Sequence, residues 1–119
     1  MLENLFEKYS NPNLETYIIS INDNVPQTFT HRFSDGRVFY VFIKYNRTLD
    51  NWVMDIYLYE RREYIPQAMG VVLQFGLDLL SQYKYLNLGE FYVFSKEPET
   101  QYSPNYSNLN KYIYIWRHS

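Results

Sequence analysis

The stretch from Trp52 to Val93 decides the fold of this chain, because it contains three apolar segments in close succession. It reads WVMDIYLY at residues 52–59, then GVVLQFGLDLL at residues 70–80 after a charged turn, then YLNLGEFYV at residues 85–93. These segments predict two strands, a short helical or turn-like element near Asp78, and a third strand. Because the stretch holds no catalytic nucleophile, metal cluster or phosphate loop, it favours a scaffold or assembly protein over an enzyme.

Alternation within the first segment predicts which residues are buried. Even-numbered and odd-numbered residues of a strand lie on opposite faces, and the even face of residues 52–59 is the more apolar. Tyr57 and Tyr59 fall on the other face, whereas Tyr102 and Tyr106 fall in a long polar loop, so we expect these four tyrosines to contact partners. We assign to the structural core Trp52, Ile56, Leu73, Leu79 and Leu80.

Four more segments show strand patterns, at residues 17–21, 28–33, 37–45 and 111–117. Ser34-Asp35-Gly36-Arg37 predicts a hairpin turn, since glycine accepts the positive φ that such turns need. Residues 37–45 are apolar on both faces, which is typical of a central strand or of a strand with one face against a partner. We therefore predict a mainly β fold: a small antiparallel sheet or partly open barrel of about six to seven strands with one or two short helices.

We expect a single domain over residues 1–119, with residues 1–13 as a candidate N-terminal arm. Within this arm, Leu2 to Tyr9 predicts a short amphipathic helix. Residues 96–110 form a polar loop that is long for so compact a domain, which favours a functional or partner-ordered segment. Met1-Leu2-Glu3-Asn4 lacks the features of a secretion signal, and no apolar run approaches the roughly 20 residues of a membrane span.

Composition narrows the class of function. Aromatic residues make up 20% of the chain and include 14 tyrosines, a side chain that suits both half-buried sheet faces and protein interfaces. The net charge is −2, and Arg61-Arg62 is bracketed by Glu60 and Glu63, so no basic surface for nucleic acid is predicted. The absence of cysteine excludes disulfides and fits assembly in a reducing cytoplasm.

Few residues could carry chemistry. His31 and His118 are the only histidines, and the sequence offers His31 no partner for a catalytic triad or a metal site. The glycines lie next to strand ends and make no phosphate loop. Three carboxylates could converge in space, but each has a local structural role, on a sheet face, at a cap or in a turn, and these roles are favoured over catalysis: Asp55, Asp78 and Glu90. We predict no catalytic, cofactor-binding or metal-binding residue.

The order of motifs in the central stretch resembles that of the phage baseplate plug proteins, which are small LysM-like proteins of contractile-tailed phages. W-x-x-D-I-Y is followed by G-V-V-L, by G-x-D-L-L and by Y-x-Y-L-x-L-G. The resemblance covers roughly residues 17–116. The chain differs from the family pattern at the turn after Tyr59 and in loop 96–110, which is longer here. The matching positions are Trp52, Asp55, Ile56, Gly70, Leu73, Gly76, Asp78, Leu79, Leu80, Leu86, Gly89 and Val93.

This resemblance implies a non-enzymatic structural virion protein at the centre of the tail baseplate, assembled in the host cell cytoplasm. Such a protein would pack between the tail-tube end and the hub or spike, and would help to close the tube before infection. Its partners would be these baseplate proteins and copies of itself around the tail axis, without a cofactor. A carbohydrate- or peptidoglycan-binding module that uses exposed aromatic residues is the main alternative, and a small hydrolase is the third.

Overall fold

Seven strands build the structure, a computed structural model that describes residues 14–97 and 102–119. Two short 3₁₀ turns accompany them, at Ser81–Leu86 and Leu109–Lys111. The mainly β prediction is confirmed, and the strands of the described residues form two antiparallel sheets that do not close into a barrel. The strands are β1 (Glu15–Ile19), β2 (Gln27–Arg32), β3 (Val38–Asn46), β4 (Asn51–Glu60), β5 (Glu63–Val72), β6 (Glu90–Ser95) and β7 (Tyr112–His118).

The larger sheet has the order β2-β3-β4-β5 and is a run of consecutive hairpins. The predicted turn between β2 and β3 is present, and Gly36 there has a φ of 95°. The turn between β4 and β5 consists of Arg61 and Arg62, whose φ angles of 52° and 64° belong to the left-handed region. Two such residues in succession match the right-handed twist of the flanking strands. The smaller sheet has the order β1-β7-β6, so the last strand lies between the first strand and the strand that precedes it in the chain.

Strand β5 corrects the sequence interpretation. The sequence pattern predicts a strand at residues 71–75 and either a strand entry or an edge strand at Pro66, whereas β5 begins at Glu63 directly after the turn and ends at Val72. Pro66 is tolerated because β5 is an edge strand that pairs only with β4. The β4–β5 register shifts beside Gly70, whose φ of 65° is consistent with a bulge.

The inner faces of the two sheets share one hydrophobic core. The five residues assigned to the core from the sequence all lie in it, with exposed fractions of 8% or less. Polar atoms of the core side chains find partners: Trp116 Nε1 donates to the carbonyl of Leu88 at 2.7 Å, and the Tyr114 hydroxyl donates to the carbonyl of Leu109 at 2.6 Å. Buried polar groups that find such partners do not weaken the core.

The segment between β5 and β6 positions the core leucines without an α-helix. The sequence pattern predicts a short helical or turn-like element over residues 77–83, and the structure has a 3₁₀ turn that begins at Ser81. The candidate N-terminal arm at residues 1–13 and residues 98–101 of the long loop lie outside the described residues. Among the residues that are described, no helix has the length and apolar character needed to cross a membrane.

Candidate interaction surface

The face of the larger sheet that points away from the core carries a cluster of five aromatic side chains. Strand pairing brings them together, because Tyr40 lies opposite Tyr57, and Tyr59 lies opposite Tyr64. Phe42 follows two residues after Tyr40 on the same face of β3. Four of the five are half-buried, and Tyr64 is 50% exposed. We call this cluster of Tyr40, Phe42, Tyr57, Tyr59 and Tyr64 the aromatic face.

The rings of the aromatic face fix one another at steep angles. The Tyr40 ring lies 5.2 Å from Tyr59 at 51° and 5.0 Å from Tyr64 at 89°, and Tyr59 lies 5.0 Å from Tyr64 at 50°. Phe42 meets Tyr57 at 5.3 Å and 84°. The Tyr40–Tyr64 and Phe42–Tyr57 contacts are edge-to-face, a geometry that stabilises aromatic pairs by about 0.5–1.5 kcal/mol beyond their burial. The five rings are therefore ordered by mutual packing and do not form one flat platform.

A groove of about 300 Å³ borders the aromatic face at Phe42 and Tyr57. Lys44 and Asp55 line it and form an ion pair in which the lysine side chain is 59% exposed and the aspartate 5%. The hydrogen bond to Asp55 raises the pKa of Lys44 above its ordinary value. Asp55 also accepts the backbone N–H of Gly70 at 2.7 Å. An aromatic centre beside a polar margin is the composition of many protein–protein interfaces.

The two other predicted tyrosines lie at a different place. Tyr102 and Tyr106 are 78% and 65% exposed. Their loop is attached to the β3–β4 turn, because the backbone N–H of Tyr106 donates to Asp50 at 3.1 Å. The carbonyl of Asn105 also accepts the indole N–H of Trp52 at 2.6 Å. The described part of the long loop therefore has defined attachments to the larger sheet.

The predicted interface residues thus belong to two surfaces. Tyr106 is attached at one end of β4, whereas Tyr59 lies near the other end, roughly 25 Å away at the rise of an extended strand. Leu49, in the β3–β4 turn, is another exposed apolar residue and precedes Asp50. Tyr102 belongs to the same loop as Tyr106, and its carbonyl accepts the Tyr112 hydroxyl at 2.5 Å. We call the exposed residues Leu49, Tyr102 and Tyr106 of this turn and loop the loop end.

The carboxylates that could have formed a catalytic group have structural partners instead. Asp78 accepts the backbone N–H groups of Leu80 and Phe91 at 2.9 and 3.1 Å. Glu90 lies 3.7 Å from the guanidinium of Arg117 in the smaller sheet. Asp55 belongs to the larger sheet, so the three do not share one site. No group of three potential metal ligands occurs within the described residues.

Sequence alternation identifies Tyr57 and Tyr59 on the aromatic face but misses Tyr40, Phe42 and Tyr64. Tyr64 is missed because Pro66 suggests a later start for β5. The signal that would have found it is the two-residue turn at Arg61-Arg62, which sets Tyr59 opposite Tyr64. The register of the β3–β4 hairpin would likewise have found Tyr40 and Phe42, because it sets the even-numbered residues of β3 opposite the odd-numbered residues of β4.

One family model matches the chain over residues 16–116, and its description is cyanophage baseplate Pam3 plug gp18. The match runs from β1 to β7 and therefore includes both sheets, the aromatic face and the loop end. No curated protein matches the chain. The resemblance to baseplate plug proteins noted in the sequence is thereby confirmed. The chain belongs to the cyanophage baseplate Pam3 plug gp18 family, and it is a structural protein of a phage tail baseplate.

Proposed function

We propose that this protein is the plug at the centre of the baseplate, where it packs between the tail-tube end and the hub or spike and helps to close the tube before infection. Copies of the protein around the tail axis are its further partners. The family match supports a place in the baseplate, and the aromatic face is the observation that carries the packing role.

The aromatic face suits protein contact because its rings are already ordered. Tyrosine provides a large contact area with few rotatable bonds, so little conformational entropy is lost when a partner binds. Burial, together with the neighbouring rings of Tyr40 and Tyr59, raises the pKa of Tyr64. A neutral tyrosine hydroxyl can donate a hydrogen bond to a carbonyl group of the partner.

The loop end provides a second contact surface at a distance from the first. A protein that lies between two neighbours needs two separate surfaces, and these two are roughly 25 Å apart along β4. The hydrogen bonds from Trp52 to Asn105 and from Tyr106 to Asp50 give the loop a defined position. We assign one surface to each side of the plug.

A carbohydrate-binding role for the aromatic face is less well supported. Sugar rings stack on broad, exposed aromatic faces, whereas the rings here meet at 50–90° and four of the five are half-buried. We also propose that the protein is non-enzymatic and assembles in the host cytoplasm. The structural hydrogen bonds of Asp55 and Asp78 support the first of these proposals.

The decisive experiment compares tail assembly with three variants. Tyr59→Ser with Tyr64→Ser removes two of the five rings of the aromatic face, and Tyr102→Ser with Tyr106→Ser alters the loop end. Tyr85→Ser is the matched control, because Tyr85 is 78% exposed and lies outside both surfaces. Each double variant should reduce co-purification with hub or tube-end proteins at least tenfold, whereas the control should behave as wild type.

A parallel measurement tests the alternative. The wild-type protein is mixed with peptidoglycan fragments, and binding is followed by calorimetry. The proposal predicts no binding. Saturable binding that the Tyr59→Ser/Tyr64→Ser variant loses, together with normal tail assembly by that variant, would replace the plug role with a carbohydrate-binding role.

A further inference from the structure

The two histidines of the chain meet across the two sheets. His31 lies in β2 of the larger sheet and His118 in β7 of the smaller sheet, and their Nε2 atoms are 2.7 Å apart. His118 is 1% exposed. Its ring stacks on the Tyr17 ring, with the ring centroids 4.4 Å apart, and on the Phe33 ring, with the centroids 3.7 Å apart. The pair is therefore a direct polar link between a strand of each sheet, enclosed by aromatic rings.

The short distance restricts the protonation of the pair. A hydrogen bond between two imidazole nitrogens needs a proton on one and a lone pair on the other. The Nδ1 of His118 lies 3.0 Å from the carbonyl of Ser119, which assigns its proton to Nδ1 and leaves Nε2 as the acceptor. His31 then donates from its Nε2. If the pair takes up one extra proton, the enclosed site holds a single cation and the hydrogen bond can remain. If it takes up two, both Nε2 atoms carry a proton, and two N–H groups and two positive charges face each other.

The surroundings oppose that second proton. Burial and then the nearby His118 lower the pKa of His31 to about 4. Burial is also the main cause that lowers the pKa of His118. Glu15 in β1 and Asp35 in the β2–β3 turn favour the charged form of His118, whereas Arg37 in the same turn disfavours it. The two carboxylates therefore do not outweigh burial.

We propose that His31 and His118 form a proton-controlled latch between the two sheets. The latch is closed while one Nε2 carries a proton and the other keeps its lone pair, and it opens when both imidazoles are protonated. Opening separates the β2 edge of the larger sheet from the β1–β7 part of the smaller sheet. A cleft of about 170 Å³ already borders His118, lined in part by Leu14 and Arg37, and would give water access to the parted rings.

The direction of the pH response follows from the closed form. Both histidines are held neutral in the folded protein, so their contribution to stability is complete above about pH 6.5, the ordinary histidine pKa. It is lost as the pH falls from there toward 4. The chain has only two histidines, so no other imidazole contributes to a response in this range.

Imidazole NMR spectra of the protein, recorded from pH 7.5 to below 4, test the latch. At pH 7 we expect one protonated and one unprotonated Nε2, with a hydrogen-bond coupling between them. The second protonation should coincide with faster amide exchange, corrected for intrinsic rates, in β1, β2 and β7, while β4 retains its protection. Independent titration of both rings near pH 6.5, or two protonated rings with unchanged exchange, would overturn the proposal.

His31→Gln provides the second test. The glutamine amide can donate to Nε2 of His118 but takes up no proton near neutral pH. We expect this variant to lose at least half of the wild-type fall in melting temperature between pH 7 and 4.5. A fall equal to that of wild type would contradict the latch. If His31→Gln does not fold, the wild-type spectra decide the question without it.

Discussion

The carboxylate of Asp78 accepts the backbone N–H of Phe91 at 3.1 Å and thereby fixes the segment after β5 to the beginning of β6. The same oxygen accepts the N–H of Leu80 at 2.9 Å, and the other oxygen pairs with Lys84 at 2.7 Å. One side chain thus supplies the acceptor for two backbone donors that the strands do not satisfy. The segment with the core residues Leu79 and Leu80 depends on it.

Asp78→Ala should therefore lower the free energy of unfolding by about 2–3 kcal/mol, because two partly buried N–H groups lose their acceptor. Asp78→Asn keeps an oxygen at this position and loses only the ionic contact with the half-exposed Lys84, so its cost should stay below about 1 kcal/mol. Urea unfolding of both variants measures the difference. Equal losses would show that the charge, and not the backbone hydrogen bonds, stabilises the segment.

Gly89→Ala should be the most destabilising of the glycine substitutions. Gly89 has a φ of 84°, and a Cβ there would overlap the carbonyl oxygen of Arg117 and lie 2.9 Å from the Cβ of His118. Strain and displacement of β7 together should cost about 3 kcal/mol or more. Gly36→Ala and Gly76→Ala are matched controls, since both also have a positive φ but open space around the added methyl group. Their cost should be about 1 kcal/mol, and thermal unfolding would show whether Gly89 differs from them.

The sequence predicts those parts of this fold that depend on neighbouring residues. The hairpin at Ser34–Arg37 follows from turn chemistry, and the buried face of β4 follows from alternation between Trp52 and Tyr59. The start of β5 was missed because Pro66 is compatible with an edge strand as well as with a strand entry. Local patterns carry no information that separates these two cases.

The remaining features arise from contacts between residues that are distant in the chain. β7 pairs with β1 and β6, and no local sequence pattern predicts that it lies between them. His118 reaches His31 across 87 positions, and the close approach of Gly89 to Arg117 likewise depends on the β6–β7 pairing. Hence the sequence identified part of the aromatic face but not the histidine pair.

Lys44 and Asp55 should respond unequally to substitution. Asp55 is buried and accepts the N–H of Gly70 at 2.7 Å, so Asp55→Ala should destabilise the protein by about 2–3 kcal/mol through the unsatisfied donor. Lys44→Met removes a mostly exposed partner, yet it leaves the buried carboxylate without its counter-ion, so about 1 kcal/mol is expected. Asp55→Asn, which retains an acceptor for Gly70, should fall between them. Guanidinium unfolding at pH 7 measures the free energy of unfolding of all three variants. If Lys44→Met costs as much as Asp55→Ala, the ion pair with Lys44, and not the hydrogen bond from Gly70, is the main stabilising contact of Asp55.

Trp52→Phe should loosen the loop end while leaving most of the core intact. Phenylalanine fills much of the space of the indole ring, but the carbonyl of Asn105 loses the donor that now lies 2.6 Å away. The expected loss of stability is about 1–2 kcal/mol, and amide exchange should accelerate mainly at residues 105–110. Trp116→Phe, in the smaller sheet, removes the equivalent hydrogen bond to the carbonyl of Leu88. It serves as the control, since it should leave the exchange of residues 105–110 unchanged. Equal acceleration of loop exchange in both variants would show that the indole of Trp52 does not specifically order the loop end. The hydrogen bond between Tyr106 and Asp50 would then be the contact that orders it.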